Sequence, residues 1–252
     1  MSQKLINKAN QLRDAGKTDE AKKILTPLLK SKDYQIVVNA NDALGICHMN
    51  ADNFDSAVKY YKKALDLSKK KNWHERLPGI TRNLGIAYRH ARKFKKSEQY
   101  MLESVCCSKK YQKKGNWANA SIGITYSKLG LTYTHAKKYK EAEWAFEKAF
   151  RFLNKSNHYY WNLIAGIDKS YFLVAVKKYR KAEGELEELI SNAIKQNKEY
   201  KLIEALILAG DAKRGLKNKE EAEMFYNLAR LALRIFDSPQ VVKKFKKEIN
   251  KR

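Results

Sequence analysis

Five histidines, three thiols and a run of carboxylates are the side chains here that could do chemistry beyond carrying charge. They are His48, His74, His90, His135 and His158; Cys47, Cys106 and Cys107; and Glu185, Glu187 and Glu188. A zinc site needs three or four ligands converging at short spacing. The histidines are scattered, and the cysteines form no CxxC pair. Adjacent Cys106 and Cys107 cannot bridge distant segments, so reduced and mostly buried thiols are expected. Consecutive carboxylates in GELEELISNA splay around a helix and read as a solvated face. No P-loop, dinucleotide fingerprint, HExxH or nucleophile elbow occurs. Catalysis, a cofactor and a bound metal are therefore not expected.

A second kind of chemistry is electrostatic. HARKFKKSEQY at 90–100, HAKKYKEAEWAF at 135–146 and AVKKYRKAEGEL at 175–186 each place an aromatic among basic residues. Arg92, Lys93, Lys95 and Lys96 belong to the first; Lys137, Lys138 and Lys140 to the second; Lys177, Lys178, Arg180 and Lys181 to the third. Basic residues around an aromatic are what a nucleic-acid surface uses. The same recurrence is the mark of a stacked structural repeat.

The charge is large and evenly spread. The chain has 52 basic and 27 acidic residues among 252, a net charge of +25. Such a balance attracts polyanions or an acidic partner. With 44% hydrophobic residues a packed core is affordable, and 11 Gly and 3 Pro are few enough to favour long helices. The opening MSQKLINKANQLRDAG lacks a signal-peptide core, and no apolar run is long enough to span a bilayer. A soluble, cytoplasmic protein is expected.

What must position the basic motifs is a repeat. The small residue after each presumptive turn is Ala21, Ala57, Ser97, Ala142, Ala182 and Ala222. Twelve residues before each stands Ala9, Gly45, Gly85, Gly130, Ser170 or Gly210; four after stands Leu25, Tyr61, Met101, Phe146, Leu186 or Tyr226. Small residues let two helices approach closely, and large residues one turn on fill the space between pairs. The pattern predicts helical hairpins that must stack to bury their apolar faces. Beyond them, Ser238-Pro239 reads as a helix start, and VVKKFKKEINKR as a basic amphipathic helix covering the open end.

NLGIAYRHARKFKKSEQYMLES, KLGLTYTHAKKYKEAEWAFEKA and ALGICHMNADNFDSAVKYYKKA resemble tetratricopeptide repeats. The longer period of about 40 is similar to that of kinesin light chains and bacterial peptide-sensing regulators. The resemblance implies an all-α, right-handed superhelical solenoid over residues 1–236, with units near 2–34, 37–71, 78–114, 117–155, 159–197 and 199–236. The capping helix would occupy 238–252. Pro27 should kink or shorten the second helix of the first unit.

The resemblance also implies that the first helix of each pair lines a concave groove holding a partner peptide. Asn7, Asn10, Arg82, Asn83, Ile86, Arg89, His90, Lys128, Leu131, His135 and Tyr171 fall on that face. Their mix of apolar, amide and basic groups suits an acidic peptide with apolar anchors. The lysine–asparagine clamp of chaperone-binding relatives does not fit three consecutive units. Phe54, Phe94, Tyr139 and Tyr179 stand where the family packs an aromatic at the turn, which makes them core residues before base-stacking ones. The expected function is a non-enzymatic protein- or peptide-binding adaptor. An RNA- or ribosome-associated protein using the lysine-rich edge is the alternative.

Overall fold

The computed structural model describes residues 2–112 and 115–235, together with Phe245 and Ile249. Among them all regular structure is helical. The chain divides into two compact units, residues 1–125 and 126–252.

The first unit holds three hairpins: α1 (Ser2–Asp14) with α2 (Thr18–Leu28), α3 (Tyr34–Asn50) with α4 (Phe54–Lys70), and α5 (Leu77–His90) with α6 (Phe94–Tyr111). It ends within α7 (Asn116–His135). The second unit holds the rest of α7 with α8 (Tyr139–Leu153), then α9 (Tyr159–Ala175) with α10 (Tyr179–Lys195), and α11 (Glu199–Gly215) with α12 (Lys219–Ile235).

The hairpins close through the small-to-large contact. All six small residues opening the second helices are buried, as are their large partners four residues on. A Cβ at Gly130 would meet the Phe146 ring at 2.8 Å, and one at Gly85 would meet Met101 at 3.0 Å; Gly45 and Gly210 face Tyr61 and Tyr226 in the same way. The fifth hairpin moves this contact one turn. There the usual position holds buried Ser170, and Gly166, one turn earlier, makes room for Leu189, whose Cδ2 would lie 2.5 Å from an added Cβ. Side chains from α2 and α3 close the first interface between hairpins, Leu25 and Leu28 meeting Ile36 and Leu44. In the last hairpin, Ile203, Leu206 and Leu233 enclose Phe245 and Ile249.

One turn recurs inside the hairpins. The amides of Lys17, Asn53, Lys93, Lys138, Lys178 and Asn218 each donate to the carbonyl five residues back, at 2.8–3.0 Å. The residue before each of them is left-handed: Gly16, Asp52, Arg92, Lys137, Lys177 and Lys217. This is the Schellman ending, and it satisfies carbonyls that a helix terminus otherwise leaves bare. Pro27 shortens α2 as expected, to 11 residues against 17 in α4. The proposed capping helix at 238–252 lies outside the described residues, apart from Phe245 and Ile249, which are helical and buried.

The turn aromatics differ from the expectation of core residues. Phe54, Phe94 and Tyr179 are half-buried, and Tyr139 is exposed. Phe54 and Tyr179 pack outward onto the next hairpin, not inward. Phe54 lies 5.3 Å from the ring of His90, and Tyr179 fills the space over Gly215, each at the end of the following first helix.

Candidate partner-binding face

Helices α3 and α5 have neighbouring helices on both sides, so little of either meets solvent. On α3 the partly accessible positions include Gln35, Asn39, Asp42, Ile46 and Met49; on α5 they include Arg82, Asn83, Ile86 and His90. The α3 set steps by three and four residues along one face, and the α5 set keeps to a similar face with Arg82 and Asn83 side by side. The stripes of the first unit carry one polar cluster. Asn83 Nδ2 donates to Asp42 Oδ1 at 3.0 Å, and Arg76 Nη2 donates to Asp42 Oδ2 at 3.0 Å. Arg82 Nη1 reaches Ser121 Oγ at 3.5 Å. Burial pulls the Arg82 pKa down to about 10, with Asp42 opposing the fall, so the guanidinium stays charged at neutral pH. Two turns on, Arg89 Nη2 lies 3.1 Å from His90 Nε2. Asp42 therefore stands beside two guanidiniums, Arg76 and Arg82, so basic groups outnumber the carboxylate at this point of the α3–α5 stripe. At the start of the same unit, Asn7 accepts from Gln3 at 3.2 Å and Asn10 from Arg13 at 2.9 Å.

The second unit uses its charges differently. Asp168 is 8% exposed; Lys128 Nζ and Ser127 Oγ both donate to its Oδ2, at 2.7 and 2.6 Å. Burial alone would raise the Asp168 pKa, but the Lys128 ammonium and these two hydrogen bonds reverse that and leave it below the ordinary value. Lys201 pairs with Glu204 at 2.6 Å, and Lys169 with Glu185 at 2.6 Å. Lys213 is held by Glu183 and Glu221. His135 and Tyr171 are exposed and lie with their rings 5.3 Å apart.

Of the residues singled out from sequence, Asn7, His90, His135 and Tyr171 are exposed, and Asn10, Arg82, Asn83, Ile86 and Lys128 are half-buried. Leu131 at 8% and Arg89 at 9% exposure are packed inside. The spacing brought Arg82 and Asn83 together but missed Asp42, Arg76 and Ser121, which complete the cluster. Asp42 was legible, being the sole acid in α3. Arg76 was not, because it lies in the short helical turn His74–Arg76 that interrupts the repeat.

All eleven basic-edge residues are exposed. Two form ion pairs with a neighbouring hairpin: Lys93 with Asp55 at 3.5 Å, and Lys178 with Glu143 at 3.1 Å. Their backbone positions are locally unfavourable. Arg92, Lys137 and Lys177 are left-handed, where Gly, Asn or Asp fits with less strain. Lys93, Lys138 and Lys178 hold the N-cap without a side-chain acceptor, and each puts a cation at the positive end of a helix. Asp52-Asn53 meets both demands at the equivalent turn, with Asn53 Oδ1 accepting from Ser56 N at 3.2 Å.

Residues 38–71 match the tetratricopeptide repeat family. Solved structures share the fold along nearly the whole chain. A Rap protein complexed with competence and sporulation factor has a TM-score of 0.73 at 13% identity, over 97% of this chain and 80% of that one. The apo form of RapI has a TM-score of 0.72 at 14% identity, over 96% and 84%. The nearly identical TPR-like repeats of a putative kinesin light chain from Podosopora anserina have a TM-score of 0.57 at 13% identity, over 80% and 97%. No curated protein matches the sequence. Residues 38–71 therefore carry a tetratricopeptide repeat, and the chain as a whole has the helical-repeat solenoid fold of these structures. Among the described residues no helix is long and apolar enough to cross a membrane, and no group of three His, Cys, Asp or Glu could hold a metal ion.

Proposed function

We propose that this protein is a non-enzymatic binding scaffold that holds an acidic peptide or protein segment on the first-helix stripe of residues 1–125. The observation that carries this reading is the α3–α5 cluster, where Asp42 is outnumbered by Arg76 and Arg82. A peptide carboxylate entering there gains a charge-assisted bond in a partly desolvated setting, and Ile46 and Ile86 offer apolar contact beside it. One of the structural neighbours is a Rap protein complexed with a factor, and partner binding is what such repeat faces offer.

The test is selection of a displayed random-peptide library on the intact chain. The expected winners carry Asp or Glu with apolar residues between them. Arg82→Gln with Ile86→Ser should weaken the selected peptide about tenfold or more while leaving the melting temperature within a few degrees. Peptides without acidic enrichment, or equal affinity for the variant, would refute this reading.

A second reading is favoured by the turns. Three hairpins place basic pairs where a left-handed residue and an N-cap are required, against local preference at both positions. Strain kept at a surface site marks function more often than chance. The ligand there would be a polyanion such as single-stranded RNA, contacted through phosphates. Its affinity should fall steeply with salt, and Lys93→Glu, Lys137→Glu and Lys177→Glu together should abolish it.

A further inference from the structure

Helix α12 carries an apolar stripe that the second helices of the four preceding hairpins lack. Met224, Leu228, Leu231 and Ile235 are 49%, 42%, 52% and 65% exposed. Steps of four, three and four residues place them on one face of α12. The same repeat positions read Lys59, Lys63, Asp66 and Lys70 on α4, and Gln99, Glu103, Cys106 and Lys110 on α6. On α8 they read Trp144, Lys148, Arg151 and Lys155, and on α10 Gly184, Glu188, Ser191 and Lys195. The outward stripe is polar or nearly so in four hairpins and wholly apolar in the sixth. The buried face of α12 is separate: Ala222, Tyr226, Ala229 and Leu233 serve its own hairpin. Phe245 and Ile249 pack against Ala229, Ala232 and Leu233, so those two C-terminal apolar residues are occupied elsewhere.

We infer that this stripe pairs two copies of the chain, α12 against α12, antiparallel about a two-fold axis. The stripe is symmetric about its own centre. Reversed, it sets Met224 beside the second copy's Ile235 and Leu228 beside its Leu231, so every apolar residue meets another. The flanking charges fit the same orientation. The first half of α12 carries Glu220, Glu221 and Glu223 against Lys219, and the second half carries Arg230 and Arg234 with no acid. Antiparallel pairing brings acidic half to basic half at both ends, whereas parallel pairing sets like on like. Glu223 already pairs with Arg230 at 2.6 Å along one side of the stripe, and Glu221 with Lys213, which leaves Glu220 and Arg234 as the outer charges with least local compensation. An apolar helix face of this kind, rimmed by polar residues, is a protein-interaction surface.

Sedimentation velocity on the intact chain tests this. The monomer should give way to a dimer as concentration rises to about 0.1 mM, the regime of interfaces below standard size. Leu228→Glu with Leu231→Glu should remove the dimer without changing the melting temperature, because both side chains face solvent in the monomer. Arg230→Glu with Arg234→Glu should weaken it about tenfold or more, and adding Glu220→Arg with Glu223→Arg should restore it. On a Cys106→Ser background, Met224→Cys should form disulfides with Ile235→Cys in a mixture and not with itself. A monomer at every concentration, a dimer indifferent to the Leu228 and Leu231 changes, or self-crosslinking Met224→Cys would each overturn the inference. Closure of the stripe by the chain's own C-terminal segment would show as the first of these outcomes.

Discussion

A Cβ added at Gly45 would lie 2.6 Å from Cδ1 of the ring of Tyr61, sixteen residues later on the partner helix. That contact sets how closely α3 and α4 approach. Gly45→Ala should therefore lower stability by roughly 1–3 kcal/mol through overpacking, despite a helix-propensity gain of about 1 kcal/mol. Gly85→Ala should cost less, because flexible Met101 can yield where a tyrosine ring cannot. Gly184→Ala reverses the sign. Nothing lies within 4 Å of its added Cβ, so it should gain up to about 1 kcal/mol. Urea titration of the three variants gives the ranking.

Asp168 ties pH to stability in the second unit. Its pKa lies below the ordinary carboxylate value in the folded chain, so the Lys128–Asp168 pair contributes fully above the unfolded pKa of about 3.9 and is lost as pH falls through the folded value. Asp168→Ala, which strands a half-buried ammonium, should cost about 3 kcal/mol at pH 7. The difference from wild type should shrink steadily below about pH 4. Adding Lys128→Met should recover most of the loss at neutral pH. Chemical denaturation from pH 3 to 7 measures all three.

The basic turns should show a trade between stability and binding. Lys137→Asn with Lys138→Asp supplies the left-handed residue and the N-cap acceptor that the hairpin requires. The pair should gain about 1–2 kcal/mol. The same change should reduce affinity for single-stranded RNA and flatten its salt dependence by about two phosphate contacts. Calorimetry and filter binding on one preparation check both halves.

The three thiols should separate by rate. Burial raises the pKa of Cys47 and Cys107, whereas Cys106 is exposed. One equivalent of an aromatic disulfide reagent should react quickly with the native chain and two more only as it opens. Cys106→Ser should delete the fast phase alone.

Much of the fold was legible because a solenoid writes one contact many times. The small residue twelve before Ala57, Ser97, Ala142 and Ala222 and the large one four after are the two sides of a single contact, and their spacing betrays it. The fifth hairpin hid its version, since Gly166 with Leu189 keeps the volume while moving it one turn. The binding face was harder. The eleven residues assigned to it were spread wider around the first helices than the flanking helices leave open, which put Leu131 and Arg89 inside. Phe54 and Tyr179 were assigned to their own turns because sequence spacing cannot say that His90 and Gly215, some 36 residues on, lie against them.

The partner-binding account turns on where a bound ligand protects the chain. Amide hydrogen exchange with and without a selected acidic peptide should show slowing across residues 35–50 and 77–90, with the turns at 92–96, 137–140 and 177–181 unchanged. Protection confined to those turns, or spread over none of the first helices, would contradict it.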